Sequence, residues 1–379
     1  MTSIDTVVGT SMKLTCAREE LTEKLQIVGR GVSTRTSVQV LAGILLRATD
    51  GLLSLAATDM EISLRVSLEA QVEDEGSVVV PGRLLGDIVR LLPTGEVTIA
   101  HRAEEGVVEL VCGPASYRLH TYAAEDFPRL PAIEDAAAFT VDKDAFVDTI
   151  ARVSRSASRD ESRPVLTGVL VRFEDSKLIM AATDSYRLSV KETALADSPG
   201  QEIEAIVPAR ALAELARIAQ AGEAGPLQVG VQENQVVFGI ADVWLTARRI
   251  DGQFPNYKQL LPEKFEHELT LPRVELLEVV RRVAVLAQRN SPLRLRFAEG
   301  ELTVSARTQD VGEASESLPV AYTGEPLEIG FNAEFLRDGL DSVVGDELVL
   351  KLISALRPAV MISPGDDFTY LIMPIRLAG

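Results

Sequence analysis

The chain has 379 residues, a formal net charge of −18, 46% hydrophobic and 25% charged residues, and a mean hydropathy of +0.13. That length exceeds what one hydrophobic core usually organises, so two or three domains are expected, and the apolar share excludes the disordered class. Two cysteines, Cys16 and Cys112, do not suggest a disulfide framework and read as buried free thiols.

In chain order, the start MTSIDTVVGTSMKL lacks a basic stretch followed by a long apolar run, so it does not read as a secretory signal. Residues 1–11 read as a loose extension or an upstream start ahead of Met12, where amphipathic order begins. LTEKLQIVGRGV (21–32) carries apolar residues at helical spacing. VQVLAGILL (38–46) stops at Arg47, well short of the roughly 20 apolar residues that a membrane span needs. No membrane partner is implied, and a soluble cytoplasmic protein is expected. AATD (56–59) reads as a strand running into a turn, with Asp59 bonding local backbone N–H groups. In VVVPGRLLGDIVRLL (78–92), Pro81 falls in the first turn of a helix, where its missing N–H costs nothing. DAFVDTIARVSRSA (144–157) has helical spacing, and KLIMAATD (177–184) is a strand ending in a second AATD, with Asp184 in the role of Asp59. Pro208 opens another helix in VPAR. QVVFGIA (235–241), WLTARRI (244–250) and ELTVSA (301–306) read as half-buried strands, while LLEVVRRVAVLAQ (276–288) reads as a helix.

Self-similarity explains the doubled AATD. VVVPGRLLGDIVRLL recurs as AIVPARALAELARIA (205–219), and FPRLP (127–131) recurs as FPNYKQLLP (254–262), both at an offset of 127. A fainter third copy is in register: LTVSART (302–308) follows LIMAATD (178–184), and FNAEFLRDGLD (331–341) follows VPARALAELAR (207–217), both by 124. The fold class is therefore α+β in three tandem units, each with two helices against antiparallel sheet. The boundaries are a loose extension over 1–11, then units at 12–136, 137–263 and 264–379.

Charge is divided unevenly. Four helical windows (82–93, 150–163, 208–222 and 272–290) together carry +6, which leaves −24 on the rest of a chain totalling −18. Arg83 and Arg90 lie two helical turns apart and share a face, and Arg210 and Arg217 repeat both positions. Arg152, Arg155 and Arg159 follow i, i+3, i+7 spacing, and Arg281 and Arg282 belong to the last basic window. A solvated arginine face is the plain alternative, but solvation alone does not require the register to be kept between repeats. The third unit departs, placing Glu334 and Asp341 at the equivalent positions.

No catalytic constellation emerges. His101, His120 and His267 are scattered without zinc-ligand spacing, and neither a phosphate-binding GxxxxGK[ST] nor a GxSxG nucleophile elbow occurs. Gly29-Arg30-Gly31 closes a helix instead of following a strand, and its sixth position is Thr34, so it is not a dinucleotide fingerprint. No metal, cofactor or enzymatic activity is expected.

The three α+β units, the arginines on their helices and the closing YLIMPIRL (370–377) together resemble the bacterial DNA polymerase III beta subunits, the sliding clamps. The most specific pieces are ATDSYRL (182–188), FPNYKQLLP and MPIRL (373–377), and the likeness runs from Met12 onward. The resemblance implies a head-to-tail homodimer closing a six-domain ring, with inner helices around double-stranded DNA and outer antiparallel sheets. It implies a sequence-independent processivity factor, with Arg35, Arg83, Arg90, Arg210 and Arg217 at basic positions of the inner wall or rim. Where the family often carries a glutamine and tyrosines near DNA, the loop SRDESRPV (158–165) has Asp160, Pro164 and Val165. A pocket for short linear motifs matches Leu166, Thr183, Tyr186, Arg187, Leu188, Pro255, Leu260, Met373, Pro374, Ile375 and Arg376. Its expected apolar floor of Leu188, Leu260, Met373 and Pro374 would be open to solvent, with Arg187 or Arg376 holding the polar end of a peptide. Implied partners are the replicative polymerase catalytic subunit, the clamp loader, repair polymerases and mismatch-repair or ligase-type proteins. The resemblance also sets Tyr117 and Leu119 of one chain against Val285 and Leu286 of the other. Two other classes stand beside this reading: a peptide-binding scaffold of the same fold that does not encircle DNA, and a hydrolase using a cleft between repeats, for which no nucleophile can be named.

Overall fold

The computed structural model describes residues 11–33, 36–130, 138–196, 202–222, 225–287, 291–308 and 311–377. Each repeat contributes two long helices: Arg18–Val28 and Gly82–Leu91, then Lys143–Val153 and Ala209–Ala221, then Arg273–Val283 and Ala333–Ser342. Their apolar residues recur every three or four positions, as Leu21, Leu25 and Val28 do, and that stripe is the buried one. Among the described residues, two helices begin on side-chain caps. Asp142 accepts from the Ala145 N–H at 2.8 Å and Asn332 from the Phe335 N–H at 3.1 Å. Pro81 sits one position earlier than its sequence suggests: the strand Gly76–Pro81 runs directly into the helix, and Pro81 is the cap residue. Ser11 already belongs to the first strand, Ser11–Ala17, and residues 1–10 lie outside the described residues.

The sheets do not follow the sequence repeats. Contacts divide the chain into one compact unit of Met1–Val141 with Arg217–Arg249, and another of Asp142–Ala216 with Ile250–Gly379. The first unit holds a five-stranded sheet and an eight-stranded one. In the larger sheet the second-repeat strand Val243–Arg248 pairs antiparallel with the first-repeat strand Ile62–Glu69, placing Trp244 opposite Arg65. The second unit repeats this joint. Phe368–Ile372 pairs with Arg187–Ala194, placing Thr369 opposite Val190, in another eight-stranded sheet. A four-stranded sheet completes that unit.

Core formation in the first unit sets the helix Arg18–Val28 against the strands Leu52–Thr58 and Ile62–Glu69 and the helix Gly82–Leu91. In the second, Lys143–Val153 packs on Arg187–Ala194, and Arg273–Val283 packs on Ala333–Ser342. Both cysteines are buried and unpaired. Burial, with Glu20 beside it, pushes the Cys16 thiol up to about 12, so it stays protonated and inert at neutral pH. No helix among the described residues is long and apolar enough to cross a membrane.

The two AATD segments fold alike. In the first, Asp59 Oδ1 accepts from the N–H groups of Glu61 (3.1 Å) and Ile62 (2.8 Å), and Thr58 Oγ1 donates to the Ile62 carbonyl at 3.1 Å. In the second, Asp184 Oδ1 accepts from Tyr186 (2.9 Å) and Arg187 (3.0 Å), and Thr183 Oγ1 donates to the Arg187 carbonyl at 2.7 Å. The backbone groups of each turn are thereby satisfied, which lets Met60 and Ser185 adopt left-handed φ values of 76° and 81°.

Candidate functional site

The second turn is the cradle of the candidate peptide site, and all of the site's residues lie in the second compact unit. Tyr186 stands at the turn's tip with 61% exposure. Its carbonyl accepts from the Met373 N–H at 2.8 Å, which ties the end of the strand Phe368–Ile372 to the turn. Beyond Met373 the chain crosses to the four-stranded sheet, where the Ile375 N–H donates to the Gly330 carbonyl at 2.8 Å. A Cβ at Gly330 would come within 2.5 Å of the Leu377 side chain and 3.0 Å of the Ile375 carbonyl, so the glycine gives the crossing segment room. Leu260, 50% exposed, ends the 3-10 turn Tyr257–Leu260, whose Tyr257 is buried against the sheet. Tyr186, Leu260, Met373 and Ile375 are thus exposed apolar side chains, the first three on segments anchored to the eight-stranded sheet and Ile375 on the four-stranded one. Pro255 and Arg376 are exposed, Pro374 and Leu166 half-buried, and Thr183 buried.

Two expectations for this site need correction. Leu188 is not part of an open patch: it is a core residue packed with Leu170, Val190, Tyr257 and Leu371. Its side chain points to the covered face of the strand, so it supports the wall from beneath. Arg187 is not a free hand for a ligand. It is 6% exposed, and its guanidinium donates to Asp184 (3.1 Å), to Asp338 (2.6 Å) and to the Arg155 carbonyl (2.6 Å) while lying 4.3 Å over the Phe335 ring. Burial costs the cation hydration, and these acceptors together with the Tyr370 hydroxyl offset it and keep it charged. Burial also pushes the Tyr370 hydroxyl well above its ordinary range. Asp338 and Phe335 are positioning residues that sequence reasoning missed, since nothing near them in the chain refers to Arg187.

The helix arginines separate into two groups. Arg83, its side chain 96% exposed, and Arg90 pair with Asp87 on their own helix, at 4.0 and 3.1 Å. Arg210 and Arg217 are exposed at the equivalent places on Ala209–Ala221. Arg159 is exposed, with Glu334 at 3.8 Å. Arg152, by contrast, is buried and not available to DNA. It pairs with Asp366 and with Asp148 (3.5 Å), donates to the Ser342 carbonyl (2.7 Å) and lies 4.4 Å over the Phe368 ring. Arg155 pairs with Asp341 at 3.5 Å, and Arg281 with Glu278 (2.9 Å) and Asp341 (3.0 Å). Arg282 is held by both oxygens of Glu316. The regular spacing of Arg152 therefore reports a core ion pair, and these last three are already matched by carboxylates. Arg35 lies outside the described residues. Among the described residues no cluster of three or more His, Cys, Asp or Glu side chains is arranged to hold a metal ion.

Two of the edge strands bear on assembly. Ala115–His120 closes one side of the five-stranded sheet and Gly312–Pro319 one side of the four-stranded sheet. Tyr117 is exposed on the first and Leu119, two positions on along the same face, is buried, while Val285 stands 81% exposed in the turn Ala284–Leu286, with Leu286 half-buried.

Comparison with known proteins covers the whole of this architecture. Family models match in tandem: the DNA polymerase III beta subunit N-terminal domain over residues 12–131, its central domain over 140–256 and its C-terminal domain over 258–376. The beta sliding clamp of Streptomyces coelicolor is 36% identical, covering 97% of this chain and 100% of its own. The crystal structure of the DNA polymerase sliding clamp from Bacillus subtilis superposes with a TM-score of 0.92 at 28% identity, over 97% of this chain and 100% of that one. The sliding clamp of Bartonella birtlesii, solved bound to griselimycin, superposes with a TM-score of 0.90 at 29% identity over the same shares. The chain belongs to the DNA polymerase III beta subunit family, the beta sliding clamps.

Proposed function

We propose that two copies of this chain join head to tail into a closed ring of six clamp domains that encircles duplex DNA and tethers a polymerase to it. Sliding clamps are processivity factors and not enzymes, so the contribution is topological. One observation carries the assembly. At each joint inside the chain, the strand that follows an AATD-type turn pairs with the strand that precedes the FP or MP segment of the following repeat. Among the described residues one strand of each kind keeps an open edge, paired on one side alone: Gly312–Pro319 in the third repeat and Ala115–His120 in the first. Two copies that pair these edges head to tail use the same joint a third time and leave neither edge open, which is the closure a two-fold ring requires. Tyr117 and Val285 then lie at the seam, Leu119 and Leu286 supporting them.

On this reading the exposed Arg83, Arg90, Arg210 and Arg217 meet phosphates without reading bases, as sliding demands, and the patch of Tyr186, Leu260, Met373 and Ile375 receives linear motifs of the polymerase, the clamp loader and repair proteins in the cytoplasm. The test is retention. Loaded by a clamp loader, the protein should stay on closed circular DNA and run off linear DNA. Reversing Arg83 and Arg210 to glutamate should reduce loading or retention at moderate salt with little dependence on sequence, because exposed phosphate contacts act through counterion release. Equal retention on both DNA forms would leave only a peptide-binding scaffold of this fold.

A further inference from the structure

The first compact unit has an open cleft of about 300 Å³ on its eight-stranded sheet, roofed by the segment Phe127–Leu130. The internal repeat shows why it is open. In the second unit the row of residues facing Phe254 and Tyr257 runs Ile206, Leu170, Ala181, Val190 across four strands, and Phe254, Tyr257 and Leu261 cover it. The matching row in the first unit runs Val79, Leu45, Ala56, Arg65. In the neighbouring row, Glu204, Arg172 and Ile179 become Ser77, Arg47 and Ser54. Two apolar side chains are lost, so the covering segment no longer fills the space.

The same exchanges alter the charge. Arg172 is bonded by Glu204 at 2.7 Å. Arg47 occupies the equivalent place with Ser77 and Ser54 opposite it. Among the described residues that line the cleft are Arg47, Arg65 and Arg129 and one acid, Glu125, in a chain of net charge −18. A cationic cleft with an apolar floor on an acidic protein selects anionic occupants.

We propose that this cleft is a second docking site, and that its occupant is an extended acidic segment of a partner protein, with an apolar side chain seated on Leu45, Ala56 and Leu130 and a carboxylate received by Arg47. An apolar anchor flanked by acid suits both halves of the lining, which neither a purely polar ligand nor a neutral motif does. The site is separate from the patch around Tyr186 and stands whether or not the chain encircles DNA.

A displayed library of random linear peptides, selected on the full-length protein carrying Tyr186→Ala and Leu260→Ala to silence the other patch, tests it. Enriched sequences should combine Asp or Glu with Leu, Ile or Phe. Their synthetic versions should bind about tenfold or more weakly on addition of Arg47→Glu, as the loss of a central anchor does. They should also perturb the fluorescence of Trp244, the sole tryptophan, which stands opposite Arg65 on the same sheet face. Ser54→Ile, which installs the side chain the second unit already carries there, keeps the charge but fills the cleft and should abolish binding in a folded protein. Absence of acidic sequences, or affinity unchanged by both Arg47→Glu and Ser54→Ile, overturns the proposal. A loss of duplex DNA retention in Arg47→Glu, without any peptide effect, overturns it in favour of nucleic acid.

Discussion

Arg152 and Arg83 stand in similar basic helix windows and have opposite roles. Arg83 is exposed with a distant acid on its own helix, whereas Arg152 is closed over by Asp366, a partner 214 positions further along the chain. Periodicity shows that arginines share a face; it does not show whether an acid from another element is waiting against that face. Removing one member of a buried ionic network strands the others, so Arg152→Ala should lower unfolding stability by about 3 kcal/mol in urea titrations while Arg83→Ala stays within about 0.5 kcal/mol. The network also has a pH signature. Burial alone would raise the Asp366 carboxyl, but bonds from Arg152 and Lys191 outweigh it and hold it below the ordinary aspartate value. A depressed carboxyl stabilises the fold fully above its unfolded value, near about 3.9, and loses that contribution as the pH falls through its lower folded value. Stability should therefore fall more steeply below about pH 4 in the wild type than in Asp366→Asn. Equal slopes in urea midpoints measured across that range would remove Asp366 from the network.

At the level of elements, the strand ending in AATD was readable from four letters, because Asp and Thr can each bond a neighbouring N–H and the repeat showed the need twice. The surroundings of each turn were not readable in the same way. Tyr186 and Glu61 sit at the same place in the two turns, and each carbonyl accepts a backbone N–H, from Met373 and Arg248 respectively, yet the first turn exposes a carboxylate there and the second an aromatic ring. The segment after the last strand is part of the fold as well as of the patch, since Ile375 bonds Gly330. Deleting it would disturb the sheet edge together with the binding surface. Point changes are cleaner: Tyr186→Ala with Leu260→Ala should leave thermal stability and DNA retention intact while weakening a polymerase-derived motif peptide by about 1 to 3 kcal/mol in direct titration. Full stimulation of the polymerase by that double variant would place motif binding elsewhere. Leu188, assigned to the open surface from its neighbours in the chain, lies beneath it because successive strand residues face opposite ways and only the ladder register decides which face is covered.

For the whole molecule, three units were legible because offsets of 127 and 124 survive in the letters. The distribution of strands among sheets was not. Pairing between Ile62–Glu69 and Val243–Arg248 is a contact between distant segments with no local signature, so the sequence repeats and the compact units disagree. The proposed seam uses the same kind of pairing between chains, backed by a small apolar contact. Replacing Val285 and Leu286 together by glutamate should give monomers by light scattering at micromolar concentration, with secondary structure unchanged, because charge there would be buried without a partner. A dimer of undiminished stability would place the seam elsewhere.

The reuse of one joint has a consequence for the chain's history and for its dissection. Covalent linkage between repeats adds no ladder bond that two separate polypeptides could not make, since both joints described within the chain are made by strand pairing. A single ancestral repeat bearing both kinds of strand would already have been able to associate with copies of itself in series. Fusion would then have raised the local concentration of neighbours without inventing a new contact, and it freed each copy to diverge. The difference of Arg47 and Ser54 from Arg172 and Ile179 is of that kind: equivalent places in two repeats, one filled and one open.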